Sequence, residues 1–238
     1  MRNNTLIKSA NIAMLIFIAK KLEEICEEVV FLGGCTTALF ITDPGSSDVR
    51  PTIDVDCIVD VISPSEYYKL EKRLRQKGFS QSLKDGIICR WSIGEMILDV
   101  MPTNEQILGF SNRWYQEAIS NAVSIRLDQK NTIKIVTAPY FLATKLEAFK
   151  GRGKKDFLGS HDLEDIILVL DGRPEIVTDV LKCNTHLKEY LKKEFSGMIQ
   201  NRAFNDALPG HLNYSTLSEE RLSIVLERIK AIIGSHVN

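Results

Sequence analysis

The chain has 238 residues, 44% of them hydrophobic, and a formal net charge of −1. This length suits one large or two small domains with a real core. The charge balance excludes a global field that would draw the protein to nucleic acid, so any RNA contact needs a local patch. The five cysteines include no Cys-x-x-Cys pair. They favour buried thiols in a reducing, cytoplasmic compartment over disulfides or zinc.

The first predicted element is a core-facing helix that runs to about Glu28 and contains the apolar run 12–19. This run is too short to cross a bilayer, and no small-residue cleavage site of a signal peptide follows it. We therefore expect no membrane partner.

A short apolar strand at 29–32 is predicted next, ending in Gly33-Gly34 before a helix that begins near Thr36. A turn of this kind leaves backbone N–H groups that can face an anion such as phosphate. The signal is weak alone, because Gly-Gly is also an ordinary strand–helix turn and no Walker A motif follows. The turn-rich segment 42–48 then reads as a surface insertion that could reshape a substrate entrance.

The segment 52–59 alternates and is β-branched, which predicts a strand carrying Asp54 and Asp56 on one face. Two adjacent carboxylates repel each other unless a cation lies between them, and hard oxygen ligands suit Mg²⁺ or Mn²⁺. An exposed face of an edge strand is the plainer interpretation. The apolar sequence after Asp56 favours instead a central strand that ends at a cleft.

A helix starting at Pro64, capped by Ser63, is followed by two short strands around a Gly94-Glu95 turn. Asp99 lies inside the apolar run of the second strand, where a charge is rare unless it is paired or binds metal. Two alternatives stay open: Asp99 completes a three-carboxylate site for two metal ions, or it pairs with a nearby arginine such as Arg90.

The second half is predicted to begin with two strands in 122–136 and a helix from Pro139 to Gly151 that contains Lys145. The basic loop 151–156 is either a solvated linker or a phosphate contact. Ser160 can cap the next helix, in whose first turn Asp162 could simply complement the helix dipole, while Glu164 and Asp165 read as surface acids. Three helices are expected near 174–183, 186–203 and 216–233.

Two stretches carry a family resemblance. Gly33-Gly34 with Ala38-Leu39, then Arg50-x-Thr52-x-Asp54-x-Asp56, resembles the polymerase-β-type nucleotidyltransferase core. The later stretch is similar to AbiEii-type nucleotidyltransferases, which include toxins of type IV toxin–antitoxin systems; it comprises 142–148, Arg152 and 161–166. The resemblance covers roughly residues 29–170.

The resemblance implies a mixed α/β (α+β) fold, with a mixed-sheet catalytic domain over 1–137 and a helical domain over 138–238. It implies transfer of a nucleoside monophosphate from an NTP to an acceptor hydroxyl of RNA, protein or a small molecule. By position, Asp54, Asp56 and Asp99 match the catalytic, metal-binding carboxylates. The implied nucleotide-binding residues are Gly33, Gly34, Thr36, Arg50, Lys145 and Asp162.

The sequence departs from the superfamily pattern at the glycine turn. Cys35 stands where a serine is usual, so a side-chain hydroxyl would have to come from Thr36 or Thr37. The gap between Gly34 and Asp54 is also longer than usual. This insertion could change which substrate is bound, while the catalytic residues and the type of reaction stay the same. An inactive nucleotide-binding or protein-interaction module is the alternative to an enzyme, and an antitoxin protein is a possible partner.

Overall fold

The computed structural model describes residues 2–46, 49–81, 88–152, 156–212 and 218–234. Residues 47–48 of the predicted insertion, 153–155 of the predicted basic loop and 216–217 of the last predicted helix lie outside this part of the chain. The strands are β1 (Val29–Leu32), β2 (Asp54–Val59), β3 (Ser80–Gln81), β4 (Arg90–Ile93), β5 (Met96–Pro102), β6 (Val123–Arg126) and β7 (Thr132–Ile135).

Helices occupy most of the remaining described chain. They are α1 (Arg2–Leu22), α2 (Thr37–Phe40), α3 (Pro64–Gln76), α4 (Glu105–Leu108), α5 (Tyr115–Ser120), α6 (Ala138–Arg152), α7 (His161–Gly172), α8 (Ile176–Lys182), α9 (Thr185–Ile199), α10 (Arg202–Ala207) and α11 (Ser218–Ile233). Short 3₁₀ helices cover Glu23–Glu27, Gly34–Thr36 and Leu208–His211. The predicted mixed α/β class is confirmed.

The strands form one mixed sheet in the order β3-β4-β5-β2-β1-β7-β6. β2 is central, antiparallel to β1 and parallel to β5, and β4 and β5 are the two arms of an antiparallel hairpin. The predicted turn of this hairpin holds Gly94 at φ 58°, a left-handed conformation that glycine adopts readily. Side chains of β2 therefore have neighbours on two strands, β1 on one side and β5 on the other.

The chain separates into two compact units, Met1–Ala38 with Arg50–Thr137 and Leu39–Val49 with Ala138–Asn238. The first unit contains the whole sheet, and α1 packs on it through β2 and β5. The second unit is helical, and α6 contacts α7, α8 and α9. Of the segment between the two parts of the first unit, residues 39–46 and 49 group with the helical unit.

Residues 39–46 explain that assignment. The amides of Thr42 and Asp43 both donate to the carbonyl of Gly172 at the end of α7, at 2.9 and 3.0 Å. Arg221 of α11 bonds Asp43 at 2.7 Å and the fully buried Asp171 at 2.6 Å. The segment is therefore held to α7 and α11 through Thr42 and Asp43, and Pro44 and Gly45 at its tip are exposed.

Local sequence signals account for several helix ends. Ser63 and Ser160 cap α3 and α7 by accepting from the amides of Glu66 and Leu163, as predicted. The single helix predicted over 186–203 is wrong, because Asn201 caps a new helix by accepting from the amide of Ala203 at 2.9 Å.

No helix within the described ranges is long and apolar enough to cross a membrane.

Candidate functional site

Four charged side chains share one face of the sheet, and we call them the carboxylate face: Asp54, Asp56, Asp99 and Arg90. In the strand register Arg90 lies opposite Asp99, and Asp99 lies beside Asp56 on the parallel neighbour. Residues in register across neighbouring strands point to the same side of a sheet. The intervening residues Val55 and Leu98 are fully buried on the other side, as the alternation predicts. The fold therefore brings the three predicted carboxylates together.

Arg90 bonds two of the three carboxylates of this face. Its Nε and Nη2 donate to the two oxygens of Asp99 at 2.9 and 2.7 Å, and Nη2 reaches Oδ2 of Asp54 at 3.4 Å. The bonds to Asp99 raise the pKa of Arg90 above its ordinary value. The ion pair that the sequence left open as the alternative for Asp99 is thus present.

Gly33 lies directly against Asp56. Leu32 is in register with Asp56 on the antiparallel neighbour, and Gly33 follows at φ 79°. A β-carbon added at Gly33 would come within 1.9 Å of Oδ2 of Asp56. Glycine is required here twice, for the backbone conformation and for the space that the carboxylate occupies. From the sequence, the Gly33-Gly34 turn and the Asp54-x-Asp56 pair were related only by their order along the chain.

The turn after Gly33 is a 3₁₀ helix, Gly34–Thr36, that leads into α2. The amide and the hydroxyl of Thr36 both donate to the carbonyl of Gly33, at 3.1 and 2.9 Å. Thr36 is fully buried, so its hydroxyl serves the turn itself. The hydroxyl of Thr37, the other predicted candidate, is buried without a hydrogen-bond partner among the residues described.

Arg50 lies two residues before Thr52 on the approach to β2. Its carbonyl accepts from Nδ2 of Asn11 at 3.2 Å, and the amide of Thr52 donates to Oδ1 of the same asparagine at 3.3 Å. Asn11 is almost fully buried in α1. This side chain therefore fixes the path of the chain that delivers Asp54 to the carboxylate face.

The donor set fits a divalent cation in part. Asp54 and Asp56 supply two oxygen-bearing side chains from one strand, and the side chain of Asp54 is 31% exposed. Asp99 is held by Arg90, and no group of three His, Cys, Asp or Glu side chains within the described part of the chain is arranged to hold a metal. The residues accordingly fit a cation on Asp54 and Asp56, with Asp99 beside it.

Lys145 and Asp162 belong to the helical unit, in a group that we call the Lys145 cluster: Lys145, Arg152, Asp162 and Asp165. Nζ of Lys145 lies 3.1 Å from Asp162 and 2.7 Å from Asp165. Arg152 adds two bonds of 2.8 Å to Asp162. Burial alone would raise the pKa of Asp162, but the bonds from Arg152 and the charge of Lys145 outweigh it, and the pKa is lowered.

Sequence reasoning missed the role of Asp165 in this cluster. The expectation of a surface acid is wrong, because Asp165 is fully buried and bonds Lys145. Its spacing of three residues from Asp162, with Ile166 and Ile167 directly after it, was the available signal. His161 is exposed, and its Nδ1 lies 3.1 Å from Glu164.

Cys35, Cys57 and Cys89 are buried thiols, as predicted, whereas Cys26 and Cys183 are half-buried; all five are free. Burial raises the pKa of Cys35 and Cys89 to about 12, and that of Cys26 to about 11. A thiol with such a pKa is protonated at neutral pH and is a poor nucleophile. Cys35, in the glycine turn, donates to the carbonyl of Asn11 at 3.2 Å and so has a packing role.

A cleft of about 320 Å³ lies near the opposite edge of the sheet, lined by residues of α1, the following 3₁₀ helix and the β6–β7 hairpin. Its charged lining residues are Glu23, Glu27, Lys130 and Lys134. None of the predicted site residues contributes to it. The candidate site is the carboxylate face, on which Asp54, Asp56 and Arg90 are half-buried and Asp99 is buried.

The fold can be compared with solved structures. The crystal structure of an antigenic nucleotidyltransferase-like protein from Paracoccidioides brasiliensis matches with a TM-score of 0.50 at 18% identity, over 86% of this chain and 94% of that chain. This chain has a nucleotidyltransferase-like fold. JHP933 from Helicobacter pylori gives a TM-score of 0.48 at 13% identity, over 93% and 90% of the two chains. No family model and no curated protein matches the sequence.

Proposed function

We propose that this chain is a metal-dependent nucleotidyltransferase, which moves a nucleoside monophosphate from an NTP to an acceptor hydroxyl and releases pyrophosphate. The observation that carries the proposal is the convergence of Asp54, Asp56 and Asp99 on one sheet face, with Gly33 against Asp56. The nucleotidyltransferase-like fold supports it at the level of architecture. The resemblance of the motifs to the AbiEii type supports the narrower assignment, including a toxin role with an antitoxin partner.

Asp54 and Asp56 would hold Mg²⁺ or Mn²⁺, and Asp99 would join them as a third ligand or act as a general base toward the acceptor hydroxyl. A bound cation would neutralise charge that develops on the phosphoryl oxygens. Gly33 and Gly34 give the triphosphate close access to backbone next to Asp56. Asp56 is fixed against Gly33, so its oxygens would be preorganised rather than mobile.

Thr36, Arg50, Lys145 and Asp162 are proposed to support the nucleotide in different ways. Thr36 and Arg50 shape the turn and the start of β2 through backbone contacts. Lys145 would supply a point charge to the phosphates, for which it must exchange at least one of its bonds to Asp162 and Asp165. Replacing Lys145 by Ala should then weaken triphosphate binding more than monophosphate binding in calorimetry. Equal losses for both ligands would remove Lys145 from the phosphate contacts.

The decisive experiment is a transfer assay with each α-³²P-labelled NTP, Mg²⁺ or Mn²⁺, and RNA, protein or aminoglycoside acceptors. Asp54→Asn and Asp56→Asn should each lower transfer by about three orders of magnitude, the scale of losing a preorganised electrostatic group. Asp60→Asn is the matched control, because Asp60 follows β2 but bonds Thr103 and Gln116 instead. Transfer that survives in both Asp54→Asn and Asp56→Asn would refute the proposal.

A nucleotide-binding module without turnover is the second candidate, and a specific observation favours it. Arg90 already neutralises Asp99, and Lys145 is already paired within its own cluster. Under this alternative, NTP binds in calorimetry but no labelled product forms with any acceptor. The acceptor panel therefore separates the two candidates.

A further inference from the structure

The contacts of Arg90 on the carboxylate face are unequal. Its guanidinium grips Asp99 with two bonds, at 2.9 and 2.7 Å, in the planar fork geometry that arginine forms with carboxylates. The same Nη2 reaches Asp54 at 3.4 Å, near the outer limit of a hydrogen bond. Arg90 is therefore anchored on Asp99 and extends weakly to Asp54.

The strand register determines which carboxylate Arg90 binds most closely. Arg90 and Asp99 face each other across the β4–β5 hairpin, whose register is set by the tight Gly94 turn. Asp99 in turn lies beside Asp56 on β2. A guanidinium stays protonated at any ordinary pH, so the positive charge of Arg90 remains beside Asp54 and Asp99.

We propose that Arg90 is a built-in competitor of the divalent cation. It neutralises Asp54 as well as Asp99 until a cation takes its place on Asp54, and it then remains on Asp99 alone. The inference rests on the proposed function, in which Asp54 and Asp56 hold the cation. Its consequence is weak affinity for free Mg²⁺, since the cation must displace a positive charge before it gains the Asp54 carboxylate.

A purely structural Arg90–Asp99 pair makes a different prediction. It would stabilise the hairpin, and its removal would lower stability without tightening cation binding. Competition instead requires that losing the guanidinium strengthens cation binding, because a positive charge next to Asp54 is removed. Cation affinity, measured apart from catalysis, therefore separates the two roles.

The test is a titration of Mn²⁺ alone, followed by the EPR signal of the free ion, on the intact chain. Arg90→Gln should bind Mn²⁺ at least about tenfold more tightly than the natural sequence, on Coulombic grounds. Arg202→Gln is the control, since it removes the same charge from a side chain that is 94% exposed and paired only loosely with Asp206 at 3.6 Å. Its Mn²⁺ affinity should equal that of the natural sequence.

A second pair of variants covers the case in which Arg90→Gln fails to fold. Asp99→Asn leaves Arg90 with Asp54 as its carboxylate on this face, so Mn²⁺ affinity should fall. Adding Arg90→Gln to Asp99→Asn removes the competitor and should restore at least about tenfold of affinity. No gain in the double variant, or unchanged Mn²⁺ affinity in a folded Arg90→Gln protein, would overturn the inference.

Failure of the proposed function itself gives a distinct pattern. If Asp54→Asn and Asp56→Asn leave Mn²⁺ binding unchanged, these carboxylates do not hold the cation, and both proposals fall together. If Asp54→Asn and Asp56→Asn weaken Mn²⁺ binding but Arg90→Gln does not tighten it, only the role of Arg90 is withdrawn.

Discussion

The carboxylate face and the Lys145 cluster are built from the same kinds of residue but differ in balance and exposure. The carboxylate face has three aspartates against one arginine, and the side chain of Asp54 is 31% exposed. The Lys145 cluster has two aspartates against two bases; the side chains of Lys145, Asp162 and Asp165 are at most 8% exposed, whereas that of Arg152 is 73% exposed. A carboxylate that is partly exposed and weakly paired, such as Asp54, is suited to a ligand, while a buried carboxylate that is held by bases, such as Asp162, stabilises the fold.

The difference teaches that an aspartate motif alone does not mark a site. Asp54 and Asp162 were both assigned to the site by resemblance, yet their surroundings support different roles. Around Asp162, Arg152 and Lys145 supply the positive charge that burial demands. Around Asp54, positive charge comes from Arg90 through a contact of 3.4 Å. Breaking each set in turn should give effects that differ in size and in kind.

The largest effect on stability is expected in the Lys145 cluster. Lys145→Met leaves Asp165 buried without its charge partner, which should cost about 3–5 kcal/mol in the free energy of unfolding. Lys150→Met is the matched control on the same helix: Lys150 pairs with Glu147 and Glu194 at the surface, so its loss should cost below about 1 kcal/mol. Urea denaturation measures both. Equal costs would show that the buried pair contributes no more than a surface one.

A smaller loss is expected on the carboxylate face. Asp99→Asn gives up two charge-assisted bonds from Arg90 and should cost about 1.5–3 kcal/mol in EDTA. If repulsion among the three aspartates were the larger effect, Asp99→Asn would leave the free energy of unfolding unchanged or raise it. We expect a decrease instead, because the replacement also breaks the ion pair with Arg90. Asp54→Asn, which loses only the 3.4 Å contact, should cost below about 1 kcal/mol. A melting temperature in EDTA that rises for Asp99→Asn would show that repulsion outweighs the ion pair.

The smallest effect is an acid-dependent one. The pKa of Asp162 is lowered in the folded chain, so its contribution to stability is present above the pKa of the unfolded chain, near 4. That contribution is lost as the pH falls through the folded pKa, because the unfolded chain then takes up the proton first. Asp162→Asn should flatten the decline in unfolding free energy below about pH 4. The same slope in both proteins would mean that Asp162 is not responsible for it.

Much of the fold follows from local patterns. The apolar alternation of β2, the Gly94 turn and the serine caps Ser63 and Ser160 are read from neighbouring residues, and each is found where it was predicted. The shared face of Asp54 and Asp56 follows from their spacing on a strand. These features depend on contacts between residues close in sequence, which a single chain displays directly.

The missed features depend on partners that are distant in sequence or that compete. Arg90 was named as one possible partner of Asp99, but only the strand register selects it. Asp165 was taken for a surface acid, since nothing near it in sequence shows that Lys145 is its partner. The metal, nucleotide and acceptor assignments remain predictions, because they concern molecules outside the chain.

The anchoring of residues 39–46 affects how the protein can be made and divided. Asp43 and its partner Arg221 are 178 positions apart, so this contact forms only after α11 has left the ribosome. Contacts of such separation are slow to form, and the segment must wait unpaired until α11 exists. A fragment cut at 137/138 would carry the segment away from Gly172 and Arg221, and would leave Asp171 without the covering residues that the intact chain supplies. The helical unit is therefore discontinuous in the sequence, and it is completed only when α11 has been synthesised.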